Sequence, residues 1–125
     1  MFYMNGIKWL IQPISSKSPL LIDRTGRLTV ATTDPETHRI YLSKELFGEF
    51  KNRVLVHELG HAAMFSFGLL DDIHRMTVPE CWIEMEEFIC NMIADYGWQI
   101  FSIASAYLGD QAVYVVPAQI ERMIA

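Results

Sequence analysis

At 125 residues, 51% of them hydrophobic and 20% charged, the chain is long enough for one domain with its own core and too apolar to be disordered. A formal net charge of −5, with no dense Lys/Arg cluster, argues against a nucleic-acid partner. The two cysteines, Cys81 and Cys90, lie in one apolar helical stretch, are not spaced as a metal pair, and read as small core residues. Met1–Gly6 shows neither a basic leader nor a cleavage site. Asn91, Asp95 and Gln99 interrupt the longest apolar run before it reaches the roughly 18 residues of a membrane span. A soluble, cytoplasmic protein with no membrane partner is the expectation.

Taken in order, Gly6 to Ile14 reads as a strand with Ile7, Trp9 and Ile11 on one side, and Pro13 confines it to an end or an edge. Ser15–Pro19 reads as a loop, and Asp23-Arg24-Thr25-Gly26 has turn chemistry. Leu28, Val30 and Thr32 alternate with Thr29 and Ala31, which predicts a half-buried strand. Ile40 and Leu42 predict a second, so Arg27 to Ser43 should form an antiparallel hairpin. Ser43 is placed to cap the helical region that follows. Gly48 should divide a short first helix from a longer one, Phe50 to Phe67, which Gly68 ends.

Leu69 to Met76 reads as a polar connection, and Thr77-Val78-Pro79-Glu80 as a capping box that opens a helix from Pro79 to Leu108, with Gly97 a point of bending and Gly109 a stop. Val113–Val116 is a short apolar segment, and Pro117–Ala125 reads as a last short helix. From Trp98 to Leu108 the predicted helix is apolar over most of its circumference. Such a helix is either the central core helix or the seat of a protein partner.

Chemistry concentrates at His57-Glu58-Leu59-Gly60-His61. Residues four apart in a helix lie one above the other, so both imidazoles can face one ion. Zinc suits neutral imidazole and tolerates three protein ligands with one position left for water. Glu58, one residue round the helix, is placed as a general base towards that water. Gly60 inside the helix costs roughly 1 kcal/mol relative to Ala, which points to close packing or to room for a ligand.

A third ligand must come from elsewhere. Met64 and Phe67 occupy the positions where an extended motif would carry Gly and His. His74 and the acidic residues after Glu80 remain. Glu80, Glu84, Glu87, Asn91 and Ala94 share one helical stripe, whereas Glu86 shares its face with Cys90 and Ile93. Glu87 is preferred, with Asn91 one turn on to hold a ligand in place. Glu86 and His74 stay as alternatives.

His57–His61, together with Glu87-Phe88-Ile89-Cys90-Asn91-Met92-Ile93-Ala94, resembles the ImmA/IrrE family of metallopeptidases, which pair the first motif with a downstream Glu-x-x-Ala-Asn/Asp-x-Phe-Ala. Cys90 and Ile93 stand where the family usually has Ala and Phe. The likeness covers about the middle half of the chain. It implies a zincin-like α+β fold with a small antiparallel sheet on a helical core, zinc held by His57, His61 and Glu87, and Glu58 as catalytic base. It also implies hydrolysis of a peptide bond in a protein substrate, a transcriptional repressor of a phage or other mobile element being the class that such relatives cut.

The competing expectation is a zinc-stabilised module, a phage or toxin–antitoxin component, that binds protein without cutting it. For an enzyme, Tyr96, Tyr107, Tyr114, His74 and Arg75 are candidates to stabilise the oxyanion. The strand Arg39–Ser43 is a candidate edge for an extended substrate.

Overall fold

The computed structural model describes residues 1–112. Four strands, β1 (Phe2–Met4), β2 (Ile7–Ile14), β3 (Ala31–Asp34) and β4 (Arg39–Ser43), precede three helices, α1 (Gly48–Ser66), α2 (Leu70–Met76) and α3 (Trp82–Leu108). The class is α+β, as expected. The apolar segment at 113–116 and the last short helix read from the sequence lie outside the described residues.

The strands form one sheet in the order β1-β2-β4-β3. β1 is antiparallel to β2 and β3 to β4, but β2 runs parallel to β4, with Ile11 opposite Ile40. The sheet is therefore mixed rather than antiparallel. Alternation tells which face of a strand is buried and nothing of its neighbour's direction. β1, absent from the sequence expectation, pairs with β2 through a local turn signal. Asn5-Gly6 joins it to β2, and φ values of 50° and 76° there are the left-handed pair that a two-residue hairpin turn requires.

One face of the sheet carries the core. Trp9, Ala31, Ile40 and Leu42 bury against Val54 and Ala62 of α1. The Trp9 indole N–H donates to Ser66 Oγ at 2.8 Å and the Asn5 amide to the Ser66 carbonyl at 3.0 Å, which ties the end of α1 to the first hairpin. On the other face Ile14, Leu21 and Tyr41 cluster beneath a 3₁₀ turn, Pro19–Leu21.

β3 begins only at Ala31, which is buried, while Leu28 and Val30 before it are exposed. Here it is the small Ala31 that lies beneath α1.

α1 is a single helix. Gly48, at φ 64°, opens it rather than dividing two helices, and Ser43 caps only a turn, its Oγ accepting the Glu45 N–H at 3.3 Å. Gly68 ends α1 as expected. At φ 69° it lets its own N–H reach the Phe65 carbonyl at 3.2 Å and the Leu69 N–H reach Met64 at 2.8 Å, the paired bonds of a Schellman stop.

Leu70–Met76, read as a connection, is helical, because Leu69, Leu70 and Ile73 pack into a cluster with Met64 and Cys90. The capping box does not form. A 3₁₀ turn occupies Pro79–Cys81, and α3 starts at Trp82 without a side-chain cap. α3 then continues through Gly97 to Leu108, and Gly109 at φ 57° closes it.

α1 and α3 touch where the sequence places Gly60. A Cβ there would stand 3.0 Å from Cys90 Sγ and 3.5 Å from Cys90 Cα, so the expectation of close packing holds. Gly60→Ala gains about 1 kcal/mol of helix propensity but overpacks this contact at a cost of roughly 1–3 kcal/mol. Thermal unfolding should show a net loss that Cys90→Ala in the same chain recovers. Unchanged stability of Gly60→Ala would contradict so tight a contact.

Beyond Gly97, α3 leaves the core. Trp98, Ile100, Phe101, Ile103 and Tyr107 are all exposed among the described residues, and the segments at 113–125 that the sequence offers as their cover lie outside these. No described helix is long and apolar enough to cross a membrane.

Candidate metal centre

The sheet and the two long helices enclose a groove of about 470 Å³ whose floor includes His57, Glu58 and His61 of α1, and Glu86 and Glu87 of α3. His57 and His61 bring their Nε2 atoms to 3.1 Å of each other. Glu87 Oε2 lies 3.0 Å from His57 Nε2, and Glu87 Oε1 lies 3.2 Å from His61 Nε2. These three residues form a group that could hold a metal ion, their donor atoms all within 4.8 Å of one another. Donors at about 2.0–2.1 Å from one tetrahedral ion stand roughly 3.3 Å apart, close to the spacing found.

The surroundings fit such an ion. Glu86 Oε1 lies 2.8 Å from His61 Nδ1, so in the neutral ring that an ion requires, Nδ1 would keep the hydrogen and Nε2 would turn its lone pair inward. His57 Nδ1 is buried without a hydrogen-bond partner among the described residues, which leaves Nε2 as the working face of that ring. The groups that would attract a cation also favour a proton on the ring. Burial pulls the His61 imidazolium down, but Cys90, Glu86 and Glu87 outweigh it and push His61 up to about 12. Hydrogen bonds from His57 and His61 in turn hold Glu87 well below the usual carboxylate range. Burial raises Glu86, yet His61 and Arg24 more than offset it and leave it lowered.

Glu58 is buried beside this group, with Oε2 3.7 Å from His57 Nε2. Thr33 of β3 donates its hydroxyl to Glu58 Oε1 at 3.0 Å and lies 3.2 Å from the Glu58 carbonyl. Burial pushes the Glu58 carboxyl up, against the pull of His61 and His57. A fixed carboxylate whose pKa is raised is suited to take up and return a proton.

Several expected residues sit elsewhere. Asn91 lines the groove, but its Oδ1 accepts from Arg53 Nη2 at 3.3 Å, and Arg53 also holds Asp95 at 2.6 Å, so Asn91 does not steady a donor of the cluster. That contact belongs to Glu86, buried on α3 together with Cys90, which packs against Gly60 of α1. His74 stacks on Trp82 at 3.9 Å, and Arg75 pairs with Asp72. Tyr96 and Tyr107 are exposed on α3, outside the groove. Tyr114 lies outside the described residues. The cationic side chains that line the groove are Arg24 and Arg53.

Sequence reasoning missed Thr33 and Arg24. Thr33 carried no signal, since only the sheet brings it to Glu58. Arg24 was visible only as part of a turn.

The pairing of strands also moves the open edge. β4 lies between β2 and β3, so the strand with a free edge at the groove is β3, not Arg39–Ser43. The Ser43 N–H bonds the Val30 carbonyl at 2.9 Å. By the antiparallel alternation, Thr32 and Asp34 bond inward to β4 and Thr33 directs its backbone groups outward.

Comparison with protein-family models, with curated proteins and with solved structures finds no match for this chain. What defines the class is thus its own architecture: an α+β domain with a candidate metal centre between two helices and a sheet edge.

Proposed function

We propose that this chain is a zinc-dependent metallopeptidase of zincin-like fold that hydrolyses a peptide bond in a protein substrate. The observation that carries the reading is the convergence of His57, His61 and Glu87 on one point with Glu58 buried beside it. Zinc, when bound, supplies a Lewis acid and draws the pKa of its water towards about 7. Glu58 takes the proton of the attacking water and returns it to the leaving amine, held in place by Thr33. An extended peptide adds to β3 through the outward backbone of Thr33, which brings its carbonyl over the histidines.

The resemblance of the two motifs to the ImmA/IrrE family supports a substrate of the phage or mobile-element repressor kind. Elemental analysis of the purified chain, with cleavage of a candidate repressor before and after chelation, tests the reading. Absence of both zinc and cleavage overturns it.

The exposed half of α3 favours a protein partner in either reading, peptidase or zinc-stabilised binding module. Trp98, Phe101 and Tyr107 stand 65%, 64% and 89% exposed, a concentration of aromatic surface that marks contact sites. Light scattering of the chain alone and with the repressor should show association, which Phe101→Asp weakens while metal content stays the same. A strict monomer that binds no repressor and takes up no hydrophobic dye would leave this surface without a partner.

A further inference from the structure

Glu86 and Glu87 are adjacent on α3, and both reach the histidines. Glu86 touches His61 at Nδ1, and Glu87 faces both Nε2 atoms. An ion between the rings therefore has two carboxylates within reach, and something must keep Glu86 on the far nitrogen. Its second oxygen shows what does so: Arg24 Nη1 donates to Glu86 Oε2 at 3.0 Å, while Nη2 reaches Glu87 Oε1 only at 3.4 Å.

Arg24 is presented by a rigid turn. Asp23 Oδ1 accepts from the Thr25 N–H at 2.8 Å, the Thr25 hydroxyl at 2.6 Å and the Arg27 N–H at 3.1 Å. The Asp23 N–H bonds the Arg27 carbonyl at 2.8 Å, and Gly26 takes φ 84° to close the loop. The turn thus carries a guanidinium across the groove to a nearly buried carboxylate. With one oxygen on His61 Nδ1 and the other on Arg24, both Glu86 oxygens are engaged away from the Nε2 atoms, whereas Glu87 sets its two oxygens against them.

We infer that Arg24 is a positioning residue that decides which of the two carboxylates becomes the metal ligand, by holding Glu86 against His61 and leaving Glu87 to the ion. This rests on the metal-centre reading above. Once Arg24 is gone, Glu86 keeps a charged oxygen without a partner and is free to swing towards the ion, which loosens the His61 ring that it held.

The test is cobalt(II) binding, titrated against a chromophoric chelator, with the visible absorption of the bound cobalt as a report on its ligands. Arg24→Gln should weaken affinity about 10–100-fold, the usual cost of losing a group that orients a ligand, and should change the absorption bands. Arg24→Lys, which keeps a charge for Glu86, should recover part of the loss. In a Glu86→Gln background the removal of Arg24 should add nothing, since the two act in series. Parent affinity and spectrum in Arg24→Gln would overturn the inference, as would tighter binding, or an equal loss in the Glu86→Gln background. Failure of the parent chain itself to bind cobalt would remove the metal centre and this role with it, whereas binding that Arg24 leaves untouched sinks this role alone.

Discussion

Glu58→Gln is expected to lower cleavage about 10²–10⁴-fold, the span that a positioned general base contributes, with fold and metal content unchanged. Glu58 is buried, so a substitution that abandoned its hydrogen bond would also unfold the site. The amide avoids this. Its oxygen accepts the Thr33 hydroxyl as the carboxylate does at 3.0 Å, and it removes only basicity.

Burial raises the Glu58 carboxyl, and the base works when deprotonated, so activity of the parent should climb with pH through that raised value. Paired thermal melts, metal analysis and turnover against pH check all three points. Undiminished turnover would place the base elsewhere. Loss of cleavage with full retention of repressor binding would separate the peptidase from a binding module, because a module has no use for a base at this position.

The part of the site written along one helix was legible in the sequence, and the part assembled across elements was not. His57, Glu58 and His61 sit at fixed offsets in α1, and their convergence follows from helix geometry alone. Glu87 needed one more step, the sorting of carboxylates by face, and it comes to the same point. The same sorting contained the answer for Glu86. Cys90 and Ile93 on its face announce burial, and a carboxylate on a buried face must find a donor, which His61 and Arg24 supply. Asn91, polar in an apolar turn, invites that duty, but Arg53, 38 residues away in the chain, claims it. Thr33 and Arg24 reach the site over separations of 25 and 62 residues, set by strand pairing and a closed turn, which no local pattern encodes.

The fold divides along the same line. Gly68 and Gly109 stop their helices because a positive φ at the last turn is a local requirement that glycine meets. The direction of β2 against β4, and so the identity of the open edge, depends on how the chain returns after the excursion through residues 15–30, and periodicity of two is the same either way. Length misled at Leu70–Met76, where seven residues rich in Asp, His and Arg looked like a loop. One buried side chain, Ile73, with Leu70 and Leu69 beside it, suffices to hold that helix against α3.

Removal of the proposed ligands has the second large effect. His57→Ala should leave little bound metal, since two donors cannot replace a third in a site of this kind. Glu87→Ala should do the same. Glu86→Ala should weaken binding about 10–100-fold, because it orients His61 without touching the ion, and His74→Ala, on a ring stacked against Trp82, should change nothing.

Acidity supplies an independent check. In the metal-free chain the neighbouring thiol and carboxylates hold a proton on His61 up to about 12, and an ion can bind only when that proton leaves. Uptake therefore releases a proton, and apparent affinity should rise with pH, roughly tenfold per unit for each proton displaced. Metal titrations of the four variants at two pH values read out both effects. Full stoichiometry in Glu87→Ala, with loss in Glu86→Ala or His74→Ala, would move the third ligand. Affinity that falls as pH rises would mean that the ion is not competing with the His61 proton.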